Sequence, residues 1–597
     1  MIDVTGQLRL HKDSCSVYEL RNGEHSLLID CGTNLRPDRA AELGIGSVEV
    51  VLLTHFHRDQ CSSAHAWQQA GAEVILPFAE RRFFEETDVL KANYNIYDNY
   101  TSYYEALGPL TDLRADRYAY DYETIEWRGF SIDVIPLPGH TFGSTGYRFE
   151  VDGQQVMAVG DTMSAPGKIS SYFSVQWGYM GFKGHVNLME SLKLLEGMGL
   201  DLILPGHGTP FPATAQAIEP LRTALETHYR MYNGNDYSYY RPTFKEVTPH
   251  VFEIVNAAAR TYVVKDDDGH GLFIDCGYTA GSIIHPNPHR YIDNLTSYLE
   301  PELGVREVEW FLPTHYHDDH LAGCFALQNR YGMKVACTPE LKDIIEHPDR
   351  YDMPCTIVRG TAVDHVIERG DVFHWRGIDF RMEQHPGQTL LHHLIWFEAD
   401  GKSFLSIGDN AAGMSFKEGN HYVHPIIPKN RTPVNSYGDM PRQLLDTDPD
   451  FLLTGHGGAV AYDKKKAEGW RDWMDSLQSL YTGILDQPHP NVAMDPHWVE
   501  FYPYKIRIQP GDSVTFQVRV TNHEEEARTG DLVFRSVDGV KLSPERATVT
   551  VEGGAVGGCE VTATFPERFT THSLPVVADV TWNGRYYGEI AEAIVTW

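Results

Sequence analysis

Two stretches decide how this chain folds: VEVVLLTHFHRDQ, Val48 to Gln60, and VEWFLPTHYHDDH, Val308 to His320. Each is an apolar, β-branched run that breaks into a histidine-rich polar cluster, the pattern of a buried strand ending in a loop. Working outward, the same order of motifs appears twice. SLLIDCG (Ser26 to Gly32) is matched by GLFIDCG (Gly271 to Gly277), and IPLPGHT (Ile135 to Thr141) by EQHPGQT (Glu383 to Thr389). MAVGDT (Met157 to Thr162) is matched by LSIGDN (Leu405 to Asn410), and LILPGHG (Leu202 to Gly208) by FLLTGHG (Phe451 to Gly457). His140 to Asp161 and Gln388 to Asp409 are both 21 residues, and Asp161 to His207 is 46 against 47 for Asp409 to His456. Motifs in one order at near-equal spacing mean that a whole domain has been duplicated.

The clusters carry metal-ligand chemistry. His55 and His57 alternate by two, so both face one side if the backbone there is extended, and Asp59 keeps the same parity. His140, Asp161 and His207 would complete the set from separate loops. Imidazoles with a carboxylate suit zinc, and also iron or manganese. Loops at strand ends are the usual place for such residues.

These motifs resemble the metallo-β-lactamase superfamily, which includes glyoxalase II, lactonases and many other hydrolases. The family pattern is H-x-H-x-D-H, a His in P-G-H-T, an Asp after Gly, and a His in G-H-G. The resemblance covers about 480 residues and implies two tandem αββα sandwiches, an α/β fold class, each with one or two Zn2+ ions, or Fe or Mn. Carried over residue by residue, it implies a first metal site on His55, His57 and His140, a bridging Asp161, and a second site on Asp59 and His207 with Gln60 in a histidine's place. In the second copy His315 and His317 hold a first site in which Gln388 replaces histidine, Asp409 bridges, and Asp319, His320 and His456 form the second site. The copies depart from the pattern at opposite halves. The glutamines still ligate, or each copy is mononuclear, or one copy is a degenerate partner of the other.

The implied chemistry is metal-dependent hydrolysis, with metal-bound hydroxide attacking an ester, lactone, thioester, amide or phosphoester. Asp59 and Asp319 are the implied catalytic carboxylates, orienting water or moving its proton. A non-catalytic scaffold of degenerate folds and a mononuclear-iron dioxygenase are the competing readings. Cys61 reads as a buried small residue rather than a thiolate ligand, and His392 as structural. Pocket candidates are the tyrosine-rich Tyr94 to Gly108 and Arg117 to Tyr122, which either line a polar cleft or pack at an interface. His421, His424, Lys429 and Arg431 either receive an anion or form a solvated loop.

From about Gln487 the pattern changes to short alternating runs such as DSVTFQVRVTNH and GGCEVTATF, expected to form a β-sandwich. This tail is similar to immunoglobulin-like modules appended to bacterial carbohydrate-active enzymes, which by analogy points to saccharide or cell-envelope substrates or to a bracing role. The expected domains are 1–235, 236–486 and 487–597, with helices at Ser63–Ala70, Leu321–Arg330, Ala213–Tyr232 and Lys464–Asp486, and a linker at Asn233–Pro249.

Composition sets outer bounds. The 597 residues carry 50 Lys and Arg against 82 Asp and Glu, a net charge of −32, which disfavours nucleic acid and anionic membranes as partners. A hydrophobic share of 42% excludes disorder on compositional grounds. No run is long and apolar enough to span a membrane. The start, MIDVTGQLRLHKD, lacks a secretory pattern, and the eight cysteines lack tight spacing. The expectation is a cytoplasmic protein acting on a small molecule, with homo-oligomerisation left open.

Overall fold

A computed structural model describes residues 1–92, 107–177, 182–279, 290–411, 427–568 and 571–597. The chain divides into two compact units, Met1–Arg241 with Gly281–Ser297, and Pro242–Ala280 with Tyr298–Trp597.

In the first unit, alternation sends side chains to both faces of each strand. In SLLI, Leu27 and Ile29 face one core, and Leu28 faces another. A seven-stranded sheet runs in chain order from Ile2–Asp3 to Arg117–Ala119, and a six-stranded sheet from Thr124–Trp127 to Phe211–Pro212. The sheets pack face to face over Leu20, Leu27, Leu52, Val134, Tyr147 and Phe149. Helix Ala64–Gln69 covers the outer face of the first sheet through Trp67. Helices Lys183–Gly197 and Ala215–Asn233 cover the second through Leu188, Leu192, Leu221 and Leu225. This is the αββα sandwich.

The second unit repeats it strand for strand. Its seven-stranded sheet runs from Phe244–Thr248 to His365–Val366 and its six-stranded sheet from Phe373–Trp375 to Gly458–Ala461. The copies share even their irregularities. The register shifts between Ser26 and Leu27 and between Gly271 and Leu272, and again between Ala158 and Gly160 and between Ser406 and Gly408. Glu49 accepts from Trp127 and Arg128, just as Glu309 accepts from Trp375 and Arg376.

Several elements differ from their expected bounds. The expected linker contains strand Phe244–Thr248, the edge of the second domain's first sheet; Pro242 and Pro249 flank its short alternation and disguise it. Leu321–Arg330 is broken into helices Asp318–Leu321 and Cys324–Tyr331. Helix Lys464–Ile484 starts where Asp463 accepts from the backbone N–H groups of Lys465 and Lys466, a side-chain N-cap.

The tail forms a four-stranded and a five-stranded sheet. Phe516, Val518 and Val561 of one meet Leu532, Val576 and Val580 of the other in a single core. Among the described residues no helix is long and apolar enough to cross a membrane, and all eight cysteines are free.

Leu27 is fully buried between the sheets. Leu27→Ala should destabilise the first domain by about 2–5 kcal/mol, read as a lower urea midpoint for that domain.

Candidate metal centres

Every ligand candidate stands on a loop or short helical turn beyond a strand end. In the first domain His55 and His57 follow strand Ser47–Leu52, and Asp59 and Gln60 lie in the short helix Arg58–Cys61. His140 lies between strands Phe130–Pro136 and Thr145–Val151, Asp161 directly follows Gln154–Gly160, and His207 follows Leu202–Pro205. His55 and His57 do turn to one side, but the strand has ended at Leu52 and the helical turn Arg58–Cys61 carries Asp59 towards His207. Glycine is required just before each central aspartate. Gly160 has φ +51°, and a Cβ there would lie 2.9 Å from Thr54 Oγ1; Gly408 has φ +44°, with Thr314 Oγ1 at 2.5 Å.

The loops bring the first-domain residues into one cluster. His57 Nδ1 lies 3.2 Å from His55 Nε2 and 3.0 Å from His140 Nε2. Asp161 Oδ2 lies 3.3 Å from His140 Nε2 and 3.4 Å from His207 Nε2, and Asp59 Oδ2 lies 2.9 Å from His207 Nε2. Gln60 Nε2 lies 3.4 Å from both Asp161 Oδ1 and His207 Nε2. Burial and the neighbouring imidazoles push the His55 pKa well below its usual value. Against its own burial, Asp161 is held below the usual carboxylate range by His207, His140 and His55. Hydrogen bonds to Asp161 and Asp59 raise His207 to about 10.

In the second domain the ligand atoms of His315, His317 and Asp409 lie within 4.8 Å of one another, as do those of Asp319, His320 and His456. Asp409 Oδ1 is 3.2 Å from His320 Nε2, and Asp409 Oδ2 is 3.2 Å from His456 Nε2. Gln388 Nε2 donates to Asp409 Oδ2 at 3.0 Å. Burial opposes a charge on His320, but Asp319, Asp409 and Asp275 outweigh it and push its pKa well above the usual value. The three carboxylates thus favour the charged form of this ring.

The residues fit a metal. Nε2 of His315 and His317 and Oε1 of Gln388 are buried without a hydrogen-bond partner, while His320 Nε2 and Asp409 Oδ1 face each other at 3.2 Å. Such atoms are costly to leave unpaired, and these are nitrogen and oxygen donors of the kind zinc, iron and manganese take.

Residues around the ligands hold them in place, and the sequence reading passed over most of them. Asp275 Oδ2 accepts from His320 Nδ1 at 2.8 Å, turning Nε2 towards the cluster. Its counterpart Asp30 accepts from the Thr54 N–H and hydroxyl, with Gln60 standing at the position of the second domain's His320, and burial pushes its pKa up to about 8. Buried Glu80 accepts from the backbone N–H of Phe56 at 2.7 Å and of Gly143 at 3.1 Å, and from the Thr141 hydroxyl, so it ties the His55–His57 loop to the His140 loop. His392 Nε2 accepts the Asp409 N–H at 3.2 Å, a structural role as expected. Cys61 is buried in the outer core.

The pocket candidates fare differently. Residues 93–106 and 412–426, which include most of the tyrosine-rich insertion and His421 and His424, lie outside the described residues. Tyr118 and Tyr120 pack on Phe78. Lys429 is exposed. Arg431 is neither an anion receptor nor part of a solvated loop. It is buried, and its guanidinium donates to Asp495 at 2.9 Å and to Glu500 at 2.9 Å.

The sequence model of the metallo-beta-lactamase superfamily matches residues 12–207 and 258–456, more than half of the chain. The chain belongs to the metallo-beta-lactamase superfamily. A protein named as a probable metallo-hydrolase of Methanocaldococcus jannaschii is 22% identical over 191 residues, 31% of this chain and 84% of its own length. The hydroxyacylglutathione hydrolase of Aeromonas salmonicida is 27% identical over 156 residues, 25% of this chain and 47% of its own. Among solved structures, a mutant metallo-beta-lactamase of Cronobacter sakazakii is similar at 17% identity and a TM-score of 0.31, covering 39% of this chain and 98% of that one.

Two predictions follow from the supporting residues. Asp275→Asn should weaken metal binding in the second domain about 10–100-fold, measured by equilibrium dialysis. An unfolded aspartate titrates near about 3.9, so the stability tied to protonated Asp30 is complete below that value and is lost as pH rises through about 8. In the metal-stripped protein, Asp30→Asn should flatten the pH dependence of first-domain stability across this window and make the variant the more stable form above it, read by urea unfolding at several pH values.

Proposed function

We propose that the chain is a metal-dependent hydrolase that cleaves an ester, lactone, thioester, amide or phosphoester of a small molecule. The observation that carries this reading is the cluster of buried, partnerless donors around Asp409, matched in the first domain by three imidazoles converging beside Asp161. Zinc is the ion the donors suit best, and iron and manganese are compatible with them.

When bound, the ion polarises the scissile carbonyl or phosphoryl group and lowers the pKa of water to about 7. The residues divide the remaining work by depth. His55 and His320 are fully buried and form the floor. Asp59 and His207 keep 36% and 33% of their side-chain surface, and Asp319 and His456 keep 18% and 34%, so water and substrate reach each centre from this side. Asp59 and Asp319 stand there as the carboxylates that orient water or accept its proton. The acidic net charge argues against nucleic acid as substrate, and a cytoplasmic setting accords with the free cysteines.

The three imidazoles of the first domain also support a mononuclear-iron dioxygenase as a second reading; iron in the purified protein with substrate-dependent oxygen uptake would favour it.

The primary test is a panel of ester, lactone, thioester, β-lactam and phosphodiester substrates, assayed on the wild type, His57→Ala and His320→Ala. Chelation should abolish turnover and zinc should restore it. Loss of at least 100-fold in kcat/KM in one variant should identify the domain that turns over. Full activity in both variants and after chelation would sink the metal-dependent reading, whereas no turnover of any substrate by the zinc-loaded protein would leave a scaffold.

A further inference from the structure

The two glutamines that stand in histidine positions are not equivalent. Gln60 and Gln388 are both buried, and both present an amide nitrogen to the central aspartate of their domain. Turning either amide round would bring a carbonyl oxygen against a carboxylate oxygen, so the carboxylate fixes the orientation. What differs is the half-site that each amide joins.

In the first domain the half-site beside Gln60 is satisfied except for the amide oxygen itself. His207 and Asp59 pair at 2.9 Å, and the Gln60 nitrogen lies 3.4 Å from His207 Nε2 as well as from Asp161 Oδ1. The end of the amide presented to these ligand atoms is a donor with no lone pair, and it repels a cation. Gln60 is also held through its main chain, because its backbone carbonyl accepts from the backbone N–H of Cys31 at 2.8 Å.

In the second domain the half-site beside Gln388 is unsatisfied. Its nitrogen is spent on Asp409 Oδ2, and its backbone N–H donates to Asn410 Oδ1 at 2.8 Å. This leaves Gln388 Oε1 without a hydrogen-bond partner, together with Nε2 of His315 and Nε2 of His317, in a half-site whose residues are each no more than 4% exposed. In the other half-site His320 Nε2 and Asp409 Oδ1 face each other at 3.2 Å. Gln60 Oε1 is also buried and partnerless, but it is the one such atom among the described ligand candidates of its domain.

We infer that the two domains differ in nuclearity. The first holds one divalent ion, on His55, His57 and His140 with Asp161. The second holds two, with the Gln388 carbonyl oxygen taking the place of the missing imidazole beside His315 and His317. This rests on the metal-centre reading above, and it gives one chain three ions in three donor sets. The first is rich in imidazole, the second mixes imidazole with an amide oxygen, and the third is rich in carboxylate. The amide-containing site is the weakest of the three, because a neutral carbonyl oxygen is a poorer zinc ligand than imidazole nitrogen.

The test is zinc stoichiometry, which needs no substrate. Full-length protein is stripped with chelator, titrated with zinc(II), and read by equilibrium dialysis and native mass spectrometry. The wild type should saturate at three zinc ions per chain. Gln388→Leu should fall to two, Gln388→His should keep three with tighter binding of the weakest ion, and Gln60→Leu should keep three. A wild type that stops at two, with Gln388→Leu unchanged, would mean that water or nothing meets the partnerless atoms, and would overturn the proposal. Saturation at four, with Gln60→Leu falling to three, would also overturn it. If Gln388→Leu fails to fold, the wild-type count and Gln388→His still decide. Binding of no zinc at all would remove the metal-centre reading itself, whereas three ions without turnover would remove only the hydrolase.

Discussion

Each sandwich is built around a carboxylate that has lost its water. Asp161 is 5% exposed and Asp409 is 3% exposed, each at the end of a central strand between two sheets. A desolvated charge of this kind is tolerated only where it is paired or bonded to a metal. The requirement reaches outward through the fold. Glycine must precede each aspartate so that the strand from the first sheet can approach, and the histidine loops must end close enough for their nitrogens to face the carboxylate. Glu80 in one domain, and Asp275 and His392 in the other, then hold the loops and rings that surround it. The sheets are the means by which separated loops are brought to one small charge.

Much of this was legible in the sequence because it is carried by local pattern. The runs at Val48 and Val308 announce buried strands, and the repeated spacings announce duplication. The ligand candidates could be named because histidine and aspartate in that order have few other uses together. The residues that support them carried weaker signals. Glu80 sits in EVILPFAERR, where nothing distinguishes it from a surface glutamate until burial is known. Asp30 and Asp275 were visible as a repeated Asp at a turn, yet their different jobs depend on whether residue 60 or 320 is an imidazole. Arg431 read as a surface cation because a sequence does not show that Asp495 and Glu500, more than sixty residues on, return to meet it. The edge strand Phe244–Thr248 was hidden for a related reason, since a five-residue strand set between prolines is too short for periodicity to outweigh punctuation.

Duplication explains how the two sites could diverge while the frame did not. The cores of the sandwiches are set by apolar alternation and keep the same strand order and the same bulges. Ligand identity is a separate matter, decided by single side chains on loops. A glutamine in place of a histidine retains the buried volume and a polar contact with the aspartate, and changes only what the site offers to a cation. The frame therefore records the common origin, and the ligands record what each copy has since become.

The Arg431 clasp ties the tail to the second domain in a way that bears on where the protein can be divided. Asp495 and Glu500 hold the guanidinium while His523 shares Asp495, and the neighbouring Asn430 accepts from Tyr316 and from the backbone of Leu390. Tyr316 adjoins His317, and Leu390 is two residues past Gln388. Cutting the chain before the tail would strand a buried cation beside the ligand loops, so the boundary drawn by secondary structure near residue 487 is not a seam at which the molecule comes apart cleanly. The second sandwich and the tail are better regarded as a single heritable part, one that recombination would have to move whole.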